Sequence, residues 1–236
     1  MMTRPVYAVF LLFVMSSPLF GQQPFSIIQY INLARYEEEN VTLSTNSKNE
    51  NRIVLMGDSI TEGWKIHRPA FFADGQVVCR GIGGQVTHQM LLRFRADVIE
   101  LKPRIVVILA GINDIARNSG PVAIPDIIAN IKTMAELADY HGIKVVVCSV
   151  LPAIDFPWSR GLEPAPKVVE LNRRIKEFAQ VKGFPYVDYY SAMVDQEGGL
   201  KVPEFTTAED LVHPNPAGYE VMERVLLKTL QQVQKQ

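Results

Sequence analysis

Residues 104–110 read RIVVILA, and AGIND follows at 110–114. The first run is β-branched and nearly continuous, with no polar residue every second position. A strand with one wet face alternates, whereas a strand covered on both faces does not. The run therefore predicts a strand in the middle of a parallel sheet. KVVVCSV at 144–150 repeats the pattern, and shorter runs at 53–56, 77–79 and 185–188 ("PYVD") are weaker versions of it. Apolar residues recur at helical spacing between these runs. Leu91, Phe94, Val98 and Leu101 form one stripe, and Ile127, Ile131, Met134 and Ala138 another. Val168, Leu171, Ile175 and Phe178 form a third, and Met222, Leu226, Leu230 and Val233 a fourth. One apolar stripe per helix, alternating with buried strands, predicts an α/β fold with right-handed crossovers. Residues 25–45, including YEEEN, are read as a helix that packs across the domain before the sheet begins.

The chain of 236 residues has 47% hydrophobic and 21% charged residues, enough for one sizeable core. Arg4 precedes ten consecutive apolar or aromatic residues at 6–15, and Ser16-Ser17-Pro18 breaks the run. The run is too short to span a bilayer, has no polar face, and has the layout of a signal peptide over 1–21, cut after Gly21. A single domain is then expected over 22–236. Loss of Arg4 leaves 23 basic residues against 25 acidic ones, a net charge of −2. Without a basic excess, nucleic acid is not an expected partner. No later stretch is long and apolar enough for a membrane span, and no cysteine near the cut suggests a lipid anchor. Cys79 and Cys148 each lie in an apolar, strand-like run and are read as buried free thiols.

Open parallel sheets bind ligands beyond the carboxyl ends of their strands. Four segments fall at such positions or just ahead of the last helix. Ser59, in MGDSITEGW (56–64), follows the first strand and begins a helix, where free N–H groups favour negative charge. Alone, GDS is as well explained by helix capping. GIGGQ (81–85) follows the second strand; its three glycines let backbone approach a ligand closely, or simply make a tight turn. Its spacing matches neither the Walker pattern nor the dinucleotide fingerprint. Asn113, in AGIND, lies directly beyond the third strand, where its amide can donate to an oxyanion or form an Asx-turn. In DLVHPNPAGY (210–219), Asp210 stands three residues before His213, so the carboxylate can hold the imidazole. A serine, two oxyanion donors and an Asp–His pair are together what acyl transfer needs.

GDSIT, GIGGQ, GIND and DLVHP resemble, in order, the conserved blocks of the SGNH hydrolases, also called GDSL esterases and lipases. The likeness runs from about Arg52 to Tyr219. GIGG and the tryptophan soon after GDSITEG look like the branch of platelet-activating-factor acetylhydrolase subunits and small bacterial carbohydrate esterases. The resemblance implies a flavodoxin-like three-layer sandwich with five parallel strands. It implies Ser59 as nucleophile, His213 as base and Asp210 as its orienter. The oxyanion hole would comprise the N–H of Ser59, the N–H of Gly84 (Gly83 being the alternative) and the Asn113 amide. Gln85 departs from the aspartate of many relatives. No metal and no cofactor are implied.

The expected function is an exported serine esterase, periplasmic or extracellular, that removes short acyl groups, acetyl above all, from carbohydrate, the substrate being an acylated small molecule or glycan. A lysophospholipase or thioesterase is the second enzymatic reading, and a non-catalytic binding protein on the same fold the third. The irregular stretch 151–166 is the candidate wall for the alcohol. Trp158 or Phe156 could stack on a sugar or pin the loop to the core. Arg80 could meet an anionic substrate or a neighbouring carboxylate, and Trp64 is read as packing.

Overall fold

The computed structural model describes residues 26–45 and 51–235, so the expected signal peptide lies outside the described residues. The chain begins with two short helices, α1 (Ile27–Ile31) and α2 (Glu37–Thr45), joined by a 3-10 turn over Leu33–Tyr36. The single helix expected over 25–45 is therefore broken. Asn32 at the break has φ 52°, a left-handed conformation that ends a right-handed helix and that asparagine tolerates better than most residues.

Strand β1 (Ile53–Gly57) leads into α3 (Ser59–His67), and β2 (Val77–Gly81) into α4 (Thr87–Asp97). Next come β3 (Ile105–Leu109), the helical turn α5 (Ile112–Ile115) and the long α6 (Ile124–Tyr140). β4 (Lys144–Cys148), α7 (Pro164–Lys182), the two-residue β5 (Tyr186–Val187), α8 (Tyr189–Met193) and α9 (Pro216–Gln234) complete the order. The strands lie parallel in the order β2-β1-β3-β4-β5, the flavodoxin-like arrangement. All five residues of β1, β2 and β3 are buried, as the apolar runs of β1 and β3 demand; β2 also buries Arg80.

Helices α4, α6 and α7 pack against one another, while α3 and α8 pack against α9. These are the two outer layers. The stripes on α6, α7 and α9 face the core as their spacing predicts. The stripe ending at Leu101 is not one helix. α4 stops at Asp97, and Ile99–Leu101 continue as a 3-10 turn that still buries Leu101.

Cys79 and Cys148 are free and buried. They sit on β2 and β4, with β1 and β3 between them. Three strand spacings put them roughly 14 Å apart, beyond any disulfide.

The sheet order reverses direction at β1 and β3, and Gly57 is level with both Gly81 and Leu109. The chain therefore leaves β1, β2 and β3 at one height, delivering Ser59, the GIGG loop and Asn113 to a common edge. That is the switch-point crevice of this kind of sheet.

Candidate active site

At the end of β1 the chain turns sharply into α3. A Cβ on Gly57 would lie 2.1 Å from Thr61 Oγ1 and 2.8 Å from the Leu109 carbonyl oxygen, so only glycine fits there. The Asp58 carboxylate caps α3 by accepting from the Ile60 N–H at 3.0 Å. Capping thus falls to Asp58 and leaves the Ser59 hydroxyl for another partner. Burial pushes the Asp58 carboxyl up to about 7, against the downward pull of its bond to Ile60 and of nearby His213. Ser59 is the first residue of α3, where an N–H has no acceptor within the helix. Its Oγ lies 2.9 Å from His213 Nε2.

His213 is held from behind. Its Nδ1 is 2.9 Å and 3.1 Å from the two oxygens of Asp210. Asp210 Oδ1 also accepts the main-chain N–H groups of Val212 (3.1 Å) and His213 (2.8 Å). Leu211, between them, takes φ 65°, which folds this turn back on itself. A carboxylate only accepts, so Nδ1 carries the hydrogen and Nε2 presents a lone pair to Ser59. Thr206 Oγ1 donates to the His213 carbonyl at 2.8 Å. Asn215 caps α9 just beyond, accepting from Gly218 N–H at 3.0 Å.

The GIGG loop meets Ser59 from β2. Its last two glycines, Gly83 and Gly84, differ in a way that their spacing does not reveal. The Gly83 N–H donates to Glu62 Oε2 at 2.9 Å. The Gly84 N–H has no acceptor among the described residues, and Gly84 takes φ 74°. Asn113 is buried beside it. Its Nδ2 donates to the Gln85 carbonyl at 3.1 Å, and its Oδ1 accepts from Asn118 Nδ2 at 2.9 Å. This orientation leaves the second Nδ2 hydrogen unassigned. Asp114 is turned away, accepting from the Thr87 N–H (2.9 Å) and hydroxyl (2.6 Å) at the start of α4. Burial raises its carboxyl too, and the Thr87 bonds oppose the rise.

A buried guanidinium supports both loops. Arg93 on α4 is fully buried, and its Nη2 donates to the carbonyls of Gly57 (3.0 Å) and Arg80 (2.9 Å). Nε reaches Gln85 Oε1 at 2.6 Å, and Nη1 reaches Asp97 Oδ2 at 2.7 Å. Gln85 in turn donates from Nε2 to the Ile31 carbonyl at 2.7 Å, which ties α1 to the glycine loop. An aspartate at 85 has no such N–H to offer α1.

Two expected substrate contacts are corrected. Phe156 is fully buried in the core and backs Trp158 at a ring distance of 5.5 Å, so it cannot meet a substrate. Arg80 is also fully buried. Side chains alternate along a strand; Cys79 faces α3, bonding to the Thr61 carbonyl, so Arg80 points to the other layer. There it binds Asn40 Oδ1 through Nε and Nη2 (3.0 and 2.7 Å), pairs with Glu39 at 3.4 Å and lies over the Tyr36 ring. Trp64 is buried and stacked on Phe71. Trp158 is 49% exposed, 6.1 Å from the His213 ring, and donates from Nε1 to Asn118 Oδ1 at 3.0 Å. Asn118, Glu62 and Arg93 were not singled out in the sequence. Only Glu62, inside GDSITEG, lay in a segment already marked.

Among the described residues no group of three or more His, Cys, Asp or Glu side chains is arranged to hold a metal ion. No helix among them is long and apolar enough to cross a membrane.

Residues 55–221 match the model of the GDSL-like lipase/acylhydrolase family. The chain belongs to this family. It is a carboxylic ester hydrolase on a five-stranded parallel α/β fold. A GDSL-like lipase from Bacteroides thetaiotaomicron VPI-5482 is 44% identical, with a TM-score of 0.82, covering 86% of this chain and 99% of that one. Axe2, an acetylxylan esterase from Geobacillus stearothermophilus, has a TM-score of 0.61 at 20% identity over 77% of this chain and 95% of its own, a likeness of fold. The lipoprotein YqeF of Bacillus subtilis (strain 168) is 25% identical over 207 residues, which is 74% of this chain and 85% of YqeF.

Proposed function

We propose that this chain is an exported serine esterase that removes short acyl groups, acetyl above all, from a carbohydrate or similarly polar alcohol. The observation that carries the reading is the unbroken line from Ser59 Oγ through the His213 ring to Asp210, at 2.9 Å on each side of the ring. Ser59 attacks the ester carbonyl as His213 Nε2 takes its proton. The Asp210 carboxylate stabilises the resulting imidazolium without itself taking the proton. The new oxyanion accepts from the N–H of Ser59, the N–H of Gly84 and the free Nδ2 hydrogen of Asn113. Gly83 is the poorer candidate donor because Glu62 already occupies its N–H. His213 then hands its proton to the leaving alcohol oxygen. Water attacks the acyl-enzyme by the same route, releasing the acid and restoring the Ser59 hydroxyl.

The surroundings favour a polar substrate. The cleft beside Gly83 and Gly84 is walled mostly by polar side chains, Gln29, Asn32, Gln89, Asn118 and Ser119, with Tyr30 and Ile82 beside them. Amides and hydroxyls without a formal charge suit sugar hydroxyls better than an acyl chain. The apolar cavity lined by Ile28, Leu33, Val41 and Leu101 lies between the N-terminal helices and α4, and neither the glycine loop nor a triad residue borders it. Trp158, with half its surface open beside the base, is the proposed contact for the alcohol. Export is supported by the apolar run at 6–15 and by the likeness to the lipoprotein YqeF.

The test is hydrolysis of p-nitrophenyl esters from acetate to palmitate, by wild type and Ser59→Ala in parallel, followed by acetylated oligosaccharides. Turnover confined to short esters and lost on substitution is expected. Preference for palmitate would replace the carbohydrate reading with a lipid one. Full activity in Ser59→Ala would overturn the assignment of the nucleophile.

A further inference from the structure

The side chain of Asn113 is a planar amide whose two ends are nearly the same shape. Turned by half a rotation it would present Oδ1, an acceptor, where the proposed mechanism needs a donor. Something must choose between the two orientations, and the Gln85 carbonyl is one such group, accepting from Nδ2 at 3.1 Å. The second is Asn118, whose Nδ2 donates to Asn113 Oδ1 at 2.9 Å and also to the Gly84 carbonyl at 3.3 Å. But Asn118 carries a reversible amide too. Its orientation is set by the indole N–H of Trp158, which donates to Asn118 Oδ1 at 3.0 Å. An indole N–H can only donate, so it admits only one orientation of Asn118. The Asn118 main-chain N–H, bonded to the Asn113 carbonyl at 3.0 Å, holds the two residues in step.

We infer that Trp158 and Asn118 are positioning residues that set the direction of the Asn113 oxyanion donor. The inference rests on the assignment of Asn113 made above. The indole N–H fixes Asn118, Asn118 fixes Asn113, and Asn113 is left with one hydrogen aimed at the reacting carbonyl. Each bond in such a chain polarises the next, so donation into Asn113 Oδ1 also strengthens its remaining N–H as a donor. Asn118 lies between the two strand-end loops and ties the oxyanion arm to the 149–163 loop. Trp158 has one edge in this chain and its ring beside His213, so one exposed side chain touches both the base and the oxyanion arm.

The experiment uses p-nitrophenyl acetate, whose small acyl group and aryl leaving group avoid any dependence on sugar contacts. Five variants are compared with wild type: Ser59→Ala, Asn113→Ala, Asn118→Asp, Trp158→Phe and the Asn113→Ala/Asn118→Asp double variant. The aspartate offers acceptors to both neighbours, so it draws Asn113 Nδ2 toward itself and turns Oδ1 toward the oxyanion. We expect Asn118→Asp to lose on the order of 10²-fold in kcat at nearly constant KM, approaching the cost of removing one oxyanion donor. Trp158→Phe keeps the ring and loses the N–H, and should lose about fivefold to tenfold in kcat by the same reasoning. The double variant should be no slower than Asn113→Ala alone, because both changes disable one donor.

Losses that multiply in the double variant would overturn the inference. So would a loss seen only in KM, or an Asn118→Asp kcat within about threefold of wild type (against the 10²-fold scale of a lost donor). If Ser59→Ala stayed fully active, the esterase mechanism itself would fall; if Asn113→Ala did, the Asn113 donor would fall, and this inference with it. If Ser59→Ala were inactive and Asn113→Ala lost on the order of 10²-fold while Asn118→Asp and Trp158→Phe were normal, only the orienting chain would fall. Both positions are exposed, so melting temperatures near wild type are expected; should Asn118→Asp not fold, Trp158→Phe carries the test.

Discussion

Arg93→Met removes a fully buried cation with little change in side-chain length. The guanidinium has four acceptors: Asp97, Gln85 and the carbonyls of Gly57 and Arg80. After substitution Asp97 keeps one donor, Asn40 Nδ2 at 2.7 Å, and becomes a buried charge without a counter-ion. The Gly57 carbonyl still accepts from the Ile82 N–H at 3.2 Å, so the loss there is partial. Breaking a buried pair by removing one member costs about 3–5 kcal/mol, mostly the penalty of the stranded partner. That is a large share of a typical total stability of roughly 5–15 kcal/mol. With a urea dependence of about 3 kcal/mol per molar, the midpoint should fall by about 1–1.7 M. The assay is equilibrium urea unfolding followed by tryptophan fluorescence and circular dichroism. Arg93→Met/Asp97→Leu is the second arm. It removes the stranded carboxylate, so it should recover about 1–2 kcal/mol of the loss. A single-variant cost below about 1.5 kcal/mol, half the lower bound for a broken buried pair, would refute the view that this cation organises the strand ends. A double variant no better than the single one would refute the stranded-charge explanation.

Other outcomes follow from the same contacts. The Asp58 carboxyl is raised by burial to about 7, so between about pH 4 and 7 the folded chain holds a proton that the unfolded chain has released. Stability from this group is complete at the acid end and is lost as pH rises through about 7. Asp58→Asn keeps an oxygen for the Ile60 cap and should flatten the fall in unfolding free energy between pH 5 and 7 by up to ~1.4 kcal/mol per pH unit; an unchanged slope in urea titrations would contradict this. Asp210→Asn can turn an N–H toward His213 Nδ1 and impose the wrong tautomer, and kcat on p-nitrophenyl acetate should fall on the order of 10³–10⁴-fold; a loss below about tenfold, far short of that scale, would show that the backbone alone orients the ring. Burial pushes the Cys148 thiol up to about 12 and Cys79 upward as well. A disulfide-exchange reagent should therefore find no reactive thiol in the folded protein and both after denaturation; a thiol reacting before unfolding would argue against their burial.

The strands were legible because burial on both faces leaves a chemical trace, the unbroken β-branched run. The helical stripes were legible for the matching reason. The break at Asn32 was not, because an asparagine in YINLARY is compatible with continuing the helix, and only the left-handed dihedral ends it. Phe156 and Trp158 looked alike as aromatic residues in one irregular segment. Their opposite fates depend on which side of the loop meets the core, and no local pattern encodes that. Arg80 was ambiguous for want of its partners, Asn40 and Glu39, which come from a helix forty residues earlier. The spacing of GIGG left two glycines as candidates, and Glu62, from helix α3, takes the N–H of one. Asn118 carried no signal, since RNSG reads only as a turn. Motifs at strand ends are local and can be read one at a time, whereas the residues that orient them belong to other segments.

The span of chain between Ser59 and His213 has a consequence for what a complete site requires. The two residues are 154 positions apart, and His213 comes just before the last helix. In chain order, β1 and Ser59 come long before His213, the base proposed for that serine. The packing of α9 against α3 places the 206–215 turn, and with it His213, beside Ser59. If Ser59 and His213 act together as proposed, the site is incomplete without the last segment of the chain, and a chain lacking residues 206–234 would hold the serine without its base.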